Sequence, residues 1–282
     1  MKRHRQEYRV TKMCTVLAVS TSGYYVWLRR CESVRTAINR ILLTRIKVIH
    51  GQSRQTYGSP RITAALRAEG LVCNEKRIVR LMRKHDIKAK TRRKFRVTTN
   101  SRHRYPVALN VLNRQFTVTA ANHVWVSDIT YLWTHEGWLY LAGCLDLYSR
   151  QIVGWALSKR IDSELVLTAL RQALGRRQPP LGLLHHSDQG SQYAADDYRK
   201  LLSDYGMTAS MSRKGDCYDN AVMESFFATL KRELVVFENF LTRKEAKAKI
   251  FEYIEVFYNR QRRHSTLGYL SPVEFEEVNK VS

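Results

Sequence analysis

The chain has 282 residues and carries 48 Lys+Arg against 25 Asp+Glu, which gives a formal net charge of +23. This length allows roughly two domains, and a hydrophobic share of 44% provides a sizeable core and excludes wholesale disorder. No apolar run approaches the roughly 20 residues of a membrane span, and no two of the five cysteines form a Cys-x-x-Cys pair. We therefore expect a protein of a reducing, cytoplasmic compartment without a cysteine-rich zinc site.

The excess of positive charge lies entirely in the first part of the chain. Residues 1–120 hold 28 Lys+Arg and 5 Asp+Glu, whereas residues 121–282 hold 20 of each. A block this basic predicts a polyanionic partner, and nucleic acid is the first choice. The alternatives are a surface that serves solubility and a surface that meets a membrane. Both are disfavoured because the basic residues fall within helical patterns and not in one tail.

Helical periodicity runs through this basic part. Residues 8–30 predict a short helix-turn-helix, residues 34–49 predict a longer helix, and a further helix ends at Gly70. The strongly basic stretch 88–104 has little regular pattern. We interpret it as a linker that follows the DNA backbone.

The helix after Gly70 is the candidate for DNA recognition. Asn74 can cap it, and it runs from Glu75 to about His85. Arg77, Arg80 and Lys84 share one face of this helix, because they stand at positions i, i+3 and i+7. Two helices joined by a glycine turn, the second with a basic face, are the layout of a DNA-reading helix-turn-helix. An ordinary surface helix with solvated arginines is the alternative, and only the basic surroundings argue against it.

The pattern changes from helices to strands at residue 123. Runs rich in β-branched and aromatic residues alternate with amphipathic helices in the order βββαβαβα. A three-stranded meander extended by two parallel strands, with helices on the sheet, is a ribonuclease-H-like α/β architecture, although periodicity alone supports only a mixed α/β class. The predicted strands are 123–132, 137–146, 151–157, 181–186 and 207–211, and the predicted helices are 163–174, 194–205 and 219–234, the last with Asp219 as its N-cap.

Three acidic residues stand out by their positions. Asp128 lies in the middle of the first strand, where a charge is costly unless it is paired or bound to metal. Asp188 directly follows the fourth strand, Glu224 lies just over one turn into the last helix, and Asp146, at the end of the second strand, is a weaker candidate. Plain structural interpretations also exist, since Asp188 fits a turn and Glu224 fits a first-turn acid that interacts with the helix dipole.

A set of carboxylates like this suits phosphodiester chemistry. Attack on a phosphodiester needs a deprotonated water or 3′-OH, and both the attacking and the leaving oxygen must be stabilised. Two Mg²⁺ ions about 4 Å apart do both, and hard cations of this kind take oxygen ligands. Without metal, three neighbouring carboxylates repel each other and raise one another's pKa. The acids therefore predict a two-metal site.

The surroundings of these acids resemble those of a known family. There are 35 residues between Asp188 and Glu224, and Lys231 follows Glu224 by seven, two helical turns on. The motifs are Trp125-Val126-Ser127-Asp128-Ile129-Thr130-Tyr131, Asp146-Leu147-Tyr148-Ser149-Arg150, His186-Ser187-Asp188-Gln189-Gly190-Ser191-Gln192-Tyr193, Asp219-Asn220-Ala221-Val222-Met223-Glu224-Ser225-Phe226-Phe227 and Tyr258-Asn259-Arg260. From Tyr57-Gly58-Ser59-Pro60-Arg61 to the C-terminus, the sequence resembles the second-reading-frame (OrfB) transposases of the IS-three family of bacterial insertion sequences. These are Asp-Asp-Glu recombinases related to retroviral integrases.

The resemblance implies an activity and a set of functional residues. Asp128, Asp188 and Glu224 match the catalytic, metal-binding triad, which would use two Mg²⁺ ions with Mn²⁺ as a substitute, and Lys231 matches a residue that contacts DNA near the active site. The family binds the inverted repeats at its element's ends, cuts one strand and joins the 3′-OH to DNA without a covalent protein–DNA intermediate.

The implied partners are DNA, both as element ends and as target, and the upstream-frame product as a fusion or a separate chain. The resemblance also implies that several copies of the chain assemble on DNA. It places them in the bacterial cytoplasm at the nucleoid and implies no membrane partner. We expect three parts: a helical region over 1–55, a basic helix-turn-helix with its linker over 56–104, and an integrase-type catalytic core with C-terminal helices over 118–282.

Two other functions fit the sequence less well. One is a DNA-binding regulator whose nuclease-like half only folds or dimerises, and the complete set of three acids argues against it. The other is a ribonuclease-H-type nuclease without strand transfer, and the basic front half argues against that, because it is suited to recognising specific DNA ends.

Overall fold

The computed structural model describes residues 1–90, 106–213 and 217–280. Most of the predicted basic linker over 88–104 therefore lies outside the described residues. Across these three ranges, no helix is both long enough and apolar enough to cross a membrane.

Five α-helices lie in the described residues of the basic part of the chain. Their bounds are α1 Val10–Val16, α2 Thr21–Arg29, α3 Val34–Gln52, α4 Ser59–Ala68 and α5 Glu75–Lys84. The side chains of Ser20 and Asn74 accept hydrogen bonds from the first turns of α2 and α5, as their sequence positions suggest. Helix α3 packs on α4 and α5, so these three make one bundle. The division of the chain at residue 55 stays a prediction.

A five-stranded sheet forms the centre of the second part. The strands are β1 Val124–Thr134, β2 Gly137–Asp146, β3 Ile152–Ser158, β4 Leu184–Ser187 and β5 Thr208–Met211. They lie in the order β3-β2-β1-β4-β5. Strands β1, β2 and β3 pair antiparallel, and β4 pairs parallel with both β1 and β5. This meander with two added parallel strands confirms the predicted ribonuclease-H-like architecture.

Helices cover both faces of the sheet. On one face lie α6 Ser163–Arg177, α7 Ser191–Ala194 and α8 Asp196–Asp204, and on the other lie α9 Ala221–Glu233 and α10 Arg243–Phe251, followed by α11 Pro272–Val278. Helix α10 continues as a π-helical segment, Glu252–Tyr258. The helix expected over 194–205 is α8, and the short α7, which was not predicted, precedes it with the extended backbone of Ala195 between them.

Alternation along the strands separates two hydrophobic cores. Trp125 is buried against α6, whereas its neighbour Val126 is buried on the α9 side. The core under α9 continues into α3, where Leu42 and Ile46 belong to the same cluster. The helical bundle and the catalytic sheet therefore share one continuous core. A hydrogen bond from the Tyr57 hydroxyl to the carbonyl oxygen of Gln261, at 3.1 Å, adds a polar link between them.

Candidate active site

Strand pairing brings the first two acids close together. Strands β1 and β4 run parallel, and their last paired residues are Val126 and His186. Asp128 and Asp188 each lie two residues beyond that pair, Asp128 still within β1 and Asp188 just past the end of β4. The two carboxyl groups are close enough for the charge of Asp188 to act on Asp128. Burial and then the negative charge of Asp188 raise the pKa of the Asp128 carboxyl well above its usual range. Asp128 therefore lies where a negative charge is poorly stabilised by the protein alone.

Helix α9 brings Glu224 to the same place. Gly143 of β2 stands opposite Asp128 of β1, and α9 packs directly onto it. A Cβ atom at Gly143 would lie 2.4 Å from the Cε of Met223, the residue before Glu224. The start of α9 is also tied to β1, because the Asn220 side-chain amide donates to the Ser127 carbonyl at 3.0 Å. The Glu224 charge acts on Asp128 in the same direction as Asp188, and burial raises the pKa of Glu224 itself.

The three acids interact through Asp128 without surrounding one common point. Within the described ranges, no three His, Cys, Asp or Glu side chains form a group that could hold a metal ion as they stand. The donor set still fits a divalent cation, because it consists of carboxylate oxygens whose mutual repulsion a cation would relieve. A further acceptor oxygen, Oδ1 of Asn220, is buried and has no hydrogen-bond partner among the described residues.

Lys231 lies on α9 two turns beyond Glu224. It is buried, and its Nζ lies 5.0 Å from the centre of the Tyr131 ring on β1, a cation–π contact. Burial lowers the pKa of Lys231, and the negative charge of Asp128 acts in the opposite direction. The ammonium group is therefore part of the charge environment of the acids.

The basic residues of α5 differ in what they contact. Arg77 is half-buried, and its guanidinium donates to the side-chain oxygen of Asn39 at 2.8 Å and to the carbonyl oxygen of Arg35 at 3.4 Å, both on α3. Arg80 and Lys84 are exposed. The shared face that the sequence indicates thus contains one residue that holds α5 to α3 and two that face solvent.

Two other acids have structural roles. Asp146, the weaker candidate, is fully buried and accepts hydrogen bonds from the backbone N–H groups of Asn122 and Tyr148, at 2.6 and 2.9 Å. The prediction that Asp219 caps α9 was wrong, because the N-cap is Asn220. Asp219 is instead fully buried and accepts from the guanidinium of Arg114 at 2.9 Å. Asp219 also accepts from the Asn110 side-chain amide and from the Arg213 backbone N–H, at 2.8 and 2.9 Å. Asn110 and Arg114 are more than 100 residues away in sequence, so local capping patterns could not identify them.

A buried ion pair that no local sequence pattern indicates lies at the far end of α9. Arg262 donates to both carboxylate oxygens of Glu233, the last residue of α9, at 2.8 Å each. Both side chains are only 4% exposed. The Tyr253 hydroxyl donates to the same carboxylate at 2.9 Å. This contact fixes the helix that carries Glu224 and Lys231, and it could have been found only by knowing which segments pack together.

Three family models match parts of this chain. Residues 118–217 and 224–279 each match a family model described as an integrase core domain, and residues 37–95 match one described as an HTH-like domain. A solved structure of the HTLV-2 integrase catalytic core domain in complex with magnesium aligns with a TM-score of 0.42 and 15% identity, covering 55% of this chain and 95% of that chain.

Two relatives match over nearly their whole length. The "Insertion element IS600 uncharacterized 31 kDa protein" of Shigella sonnei is 51% identical over 94% of this chain and 97% of its own. "Transposase InsF for insertion sequence IS3A" of Escherichia coli (strain K12) is 42% identical over 99% of this chain and 98% of its own. With this identity along both chains and an integrase-type core in the fold, the protein belongs to the IS3 family of insertion-sequence transposases and is an enzyme of that class.

Proposed function

We propose that this chain binds the terminal inverted repeats of its insertion sequence and cleaves and transfers DNA strands by direct attack of water or a 3′-OH on phosphodiesters. The observation that carries the proposal is that Asp128 and Asp188 both lie two residues beyond the last β1–β4 pair, with Asp188 and Glu224 close enough to raise the Asp128 pKa. Acidic side chains that repel each other lower the stability of a fold, and such groups are found mainly at functional sites. No covalent bond between protein and DNA is part of this reaction.

Asp128, Asp188 and Glu224 are the proposed ligands of two Mg²⁺ ions, with Mn²⁺ able to substitute. Their carboxylate oxygens are the donors that such cations prefer, and their repulsion in the metal-free protein favours uptake of positive charge. When bound, the ions would activate the attacking oxygen and stabilise the leaving one. The protein's own contribution is to hold the acids on three rigid elements, β1, the end of β4 and α9.

Lys231 is the proposed contact to a phosphate beside the cleaved bond. It lies two turns from Glu224 on α9, about 10 Å along the helix axis at 1.5 Å per residue. That distance is too long for a metal ligand and suits a phosphate one or two nucleotides away. Its interaction with Asp128 places positive charge at the edge of the acidic group. We expect Lys231→Arg to keep more strand joining than Lys231→Ala, since the charge is what binds a phosphate.

The exposed side chains of Arg80 and Lys84 are proposed to contact the phosphates of the DNA ends. The half-buried Arg77 supports this surface by holding α5 against α3. The upstream-frame product, as a fusion or a separate chain, and further copies of this protein are the proposed partners on the DNA. The reaction would take place in the bacterial cytoplasm at the nucleoid.

A strand-joining assay with Asp128→Asn tests the proposal. The full chain is incubated with DNA taken from its own element's ends and Mg²⁺, and both cleaved and joined products are measured. Asp128→Asn should reduce both products to background while the Kd for the DNA ends changes by less than about twofold, because the variant loses a metal ligand and no DNA contact. Near-normal joining by this variant would refute the assignment of the acids.

Two controls make the result specific. Asp197→Asn removes an exposed carboxylate on α8 and should leave joining unchanged. Excess chelator should abolish joining by the unaltered protein, and added Mn²⁺ should restore it. Full activity in excess chelator would contradict a metal-dependent mechanism.

A further inference from the structure

Three aromatic side chains, two of them exposed and one half-buried, pack together where β1 and β2 meet at their hairpin. The Trp133 and Trp138 rings pack edge to face with centroids 5.0 Å apart, and the Tyr131 and Trp138 rings do so at 5.2 Å. Trp133 is 57% exposed and Trp138 is 44% exposed. We call Tyr131, Trp133 and Trp138 the aromatic cluster. A cross-strand pair of tryptophans can stabilise a hairpin, but this role does not need the rings to be so open to solvent.

The aromatic cluster meets the candidate active site across the edge of β1. Tyr131 lies three residues after Asp128 on the same strand, so the two side chains face opposite sides of the sheet. The Lys231 ammonium, on which the Asp128 charge acts, lies 5.0 Å from the Tyr131 ring centre. Strand β4 pairs with β1 only over Val124–Val126, so it does not cover the edge of β1 between Asp128 and the cluster. A strand of DNA with its reacting phosphate at Asp128 can therefore pass Lys231 and turn over this edge to reach the rings.

A second positive charge lies at the other end of the aromatic cluster. The Arg243 guanidinium donates to the Trp138 carbonyl at 3.2 Å, and its Nη2 lies 3.0 Å from where a Cβ atom would stand at Gly137 in the hairpin. The buried Lys231 ammonium therefore lies at the Tyr131 end of the cluster, and the Arg243 guanidinium lies at the Trp138 end. Rings bordered by cations are the arrangement by which proteins bind unpaired nucleic acid, with bases on the rings and phosphates at the cations.

We propose that the aromatic cluster is a binding site for an unpaired nucleobase of the DNA strand next to the bond that is cut. A base within a duplex is already stacked on both sides, so the site would take a base released by fraying or by strand cleavage. The inference rests on the proposed function, because it needs the reacting phosphate at Asp128.

Abasic DNA tests the proposal. The unaltered chain and Trp133→Ala are compared in the joining assay on DNA ends in which each nucleotide around the cut is replaced, one at a time, by an abasic residue. At one position the unaltered chain should lose about tenfold in joining rate, the lower part of the range for one stacked base. Trp133→Ala should lose about tenfold on intact DNA and lose nothing further on the abasic DNA. Tyr205→Ala, a similarly exposed aromatic at the end of α8, should behave like the unaltered chain.

The pattern of losses separates stacking from hairpin stability. If Trp133→Ala is slower by the same factor on intact DNA and on every abasic substrate, the ring serves only the hairpin and the proposal is wrong. Trp133→Phe keeps a ring and should retain most of the activity and the sensitivity to the abasic residue. Trp133→Leu keeps only apolar bulk and should lose both the activity and the sensitivity to the abasic residue. This variant keeps the test valid if Trp133→Ala does not fold.

A binding measurement distinguishes failure of this inference from failure of the proposed function. DNA ends with and without an unpaired tail of several nucleotides are titrated by fluorescence anisotropy in the absence of metal. The tail should tighten binding about tenfold for the unaltered chain and not for Trp133→Leu. Equal binding of both ends by both proteins would overturn the aromatic site even if joining is normal. If the unpaired tail tightens binding but the protein cannot join strands, the aromatic site is supported and the proposed reaction is wrong.

Discussion

The buried pair of Glu233 and Arg262 allows a quantitative prediction. Replacing Arg262 with methionine keeps much of the side-chain volume but leaves the Glu233 carboxylate, which is 4% exposed, with the Tyr253 hydroxyl as its remaining partner among the contacts described above. Breaking one side of a buried, doubly hydrogen-bonded ion pair costs about 3–5 kcal/mol. Because folded proteins are stable by only about 5–15 kcal/mol, Arg262→Met should remove a large part of the free energy of unfolding.

Urea denaturation followed by circular dichroism measures this loss. The midpoint should fall while the slope of the transition stays the same, since the surface exposed on unfolding hardly changes. The double variant Glu233→Leu with Arg262→Met should recover most of the loss, because it removes both charges and fills the space with apolar groups. A loss below about 1 kcal/mol in Arg262→Met, or no recovery in the double variant, would refute the reasoning.

Three further predictions follow from contacts described above. In titrations with DNA ends, Arg80→Ala and Lys84→Ala should each lower the slope of log Kd against log salt by about 0.9, which corresponds to one phosphate contact. As a control, replacing the exposed lysines of α10 with alanine should leave this slope unchanged. Gly154→Ala should lower stability in urea by about 3 kcal/mol, because its Cβ would lie 2.2 Å from a carbonyl oxygen of α6, whereas Gly175→Ala, with open space around it, should not. Burial lowers the pKa of His264 to about 2, below its unfolded value near 6.5. The contribution of this histidine to the free energy of unfolding is therefore complete above pH 6.5 and is lost as the pH falls. Lowering the pH from 7.5 to 5.5 should therefore reduce the free energy of unfolding of the unaltered chain by about 1.4 kcal/mol more than that of His264→Gln.

The sequence predicted those features that depend on local pattern. Alternation and periodicity are properties of a few consecutive residues, so the five strands and the long helices appeared near their observed positions. The positions of Asp128 within a strand and of Asp188 directly after one were also predictable from local pattern, and the charge of Asp188 does act on Asp128. The motifs around the acids supplied the family, which no periodicity could supply.

Features that depend on long-range packing were not predictable in this way. The face shared by Arg77, Arg80 and Lys84 followed from helix geometry, but only packing against α3 decides that Arg77 is held by Asn39. Asp219 looked like an N-cap because it precedes a helix, whereas its partner Arg114 comes from a distant segment. Such pairs join segments that are far apart in sequence, so the periodicity and capping patterns of consecutive residues contain no sign of them.

The continuous core between the helical bundle and the sheet has a geometric consequence for DNA. Leu42 of α3 and Phe226 of α9 belong to one buried cluster, and Tyr57 is hydrogen-bonded to the C-terminal segment beside Arg262. If α5 reads the DNA ends and Glu224 of α9 is a catalytic acid, as proposed above, this shared core holds both helices at a fixed separation. The number of base pairs between the recognised sequence and the cut would then be set by protein packing, so moving the recognition sequence by half a helical turn of DNA would turn the scissile phosphate away from the acids.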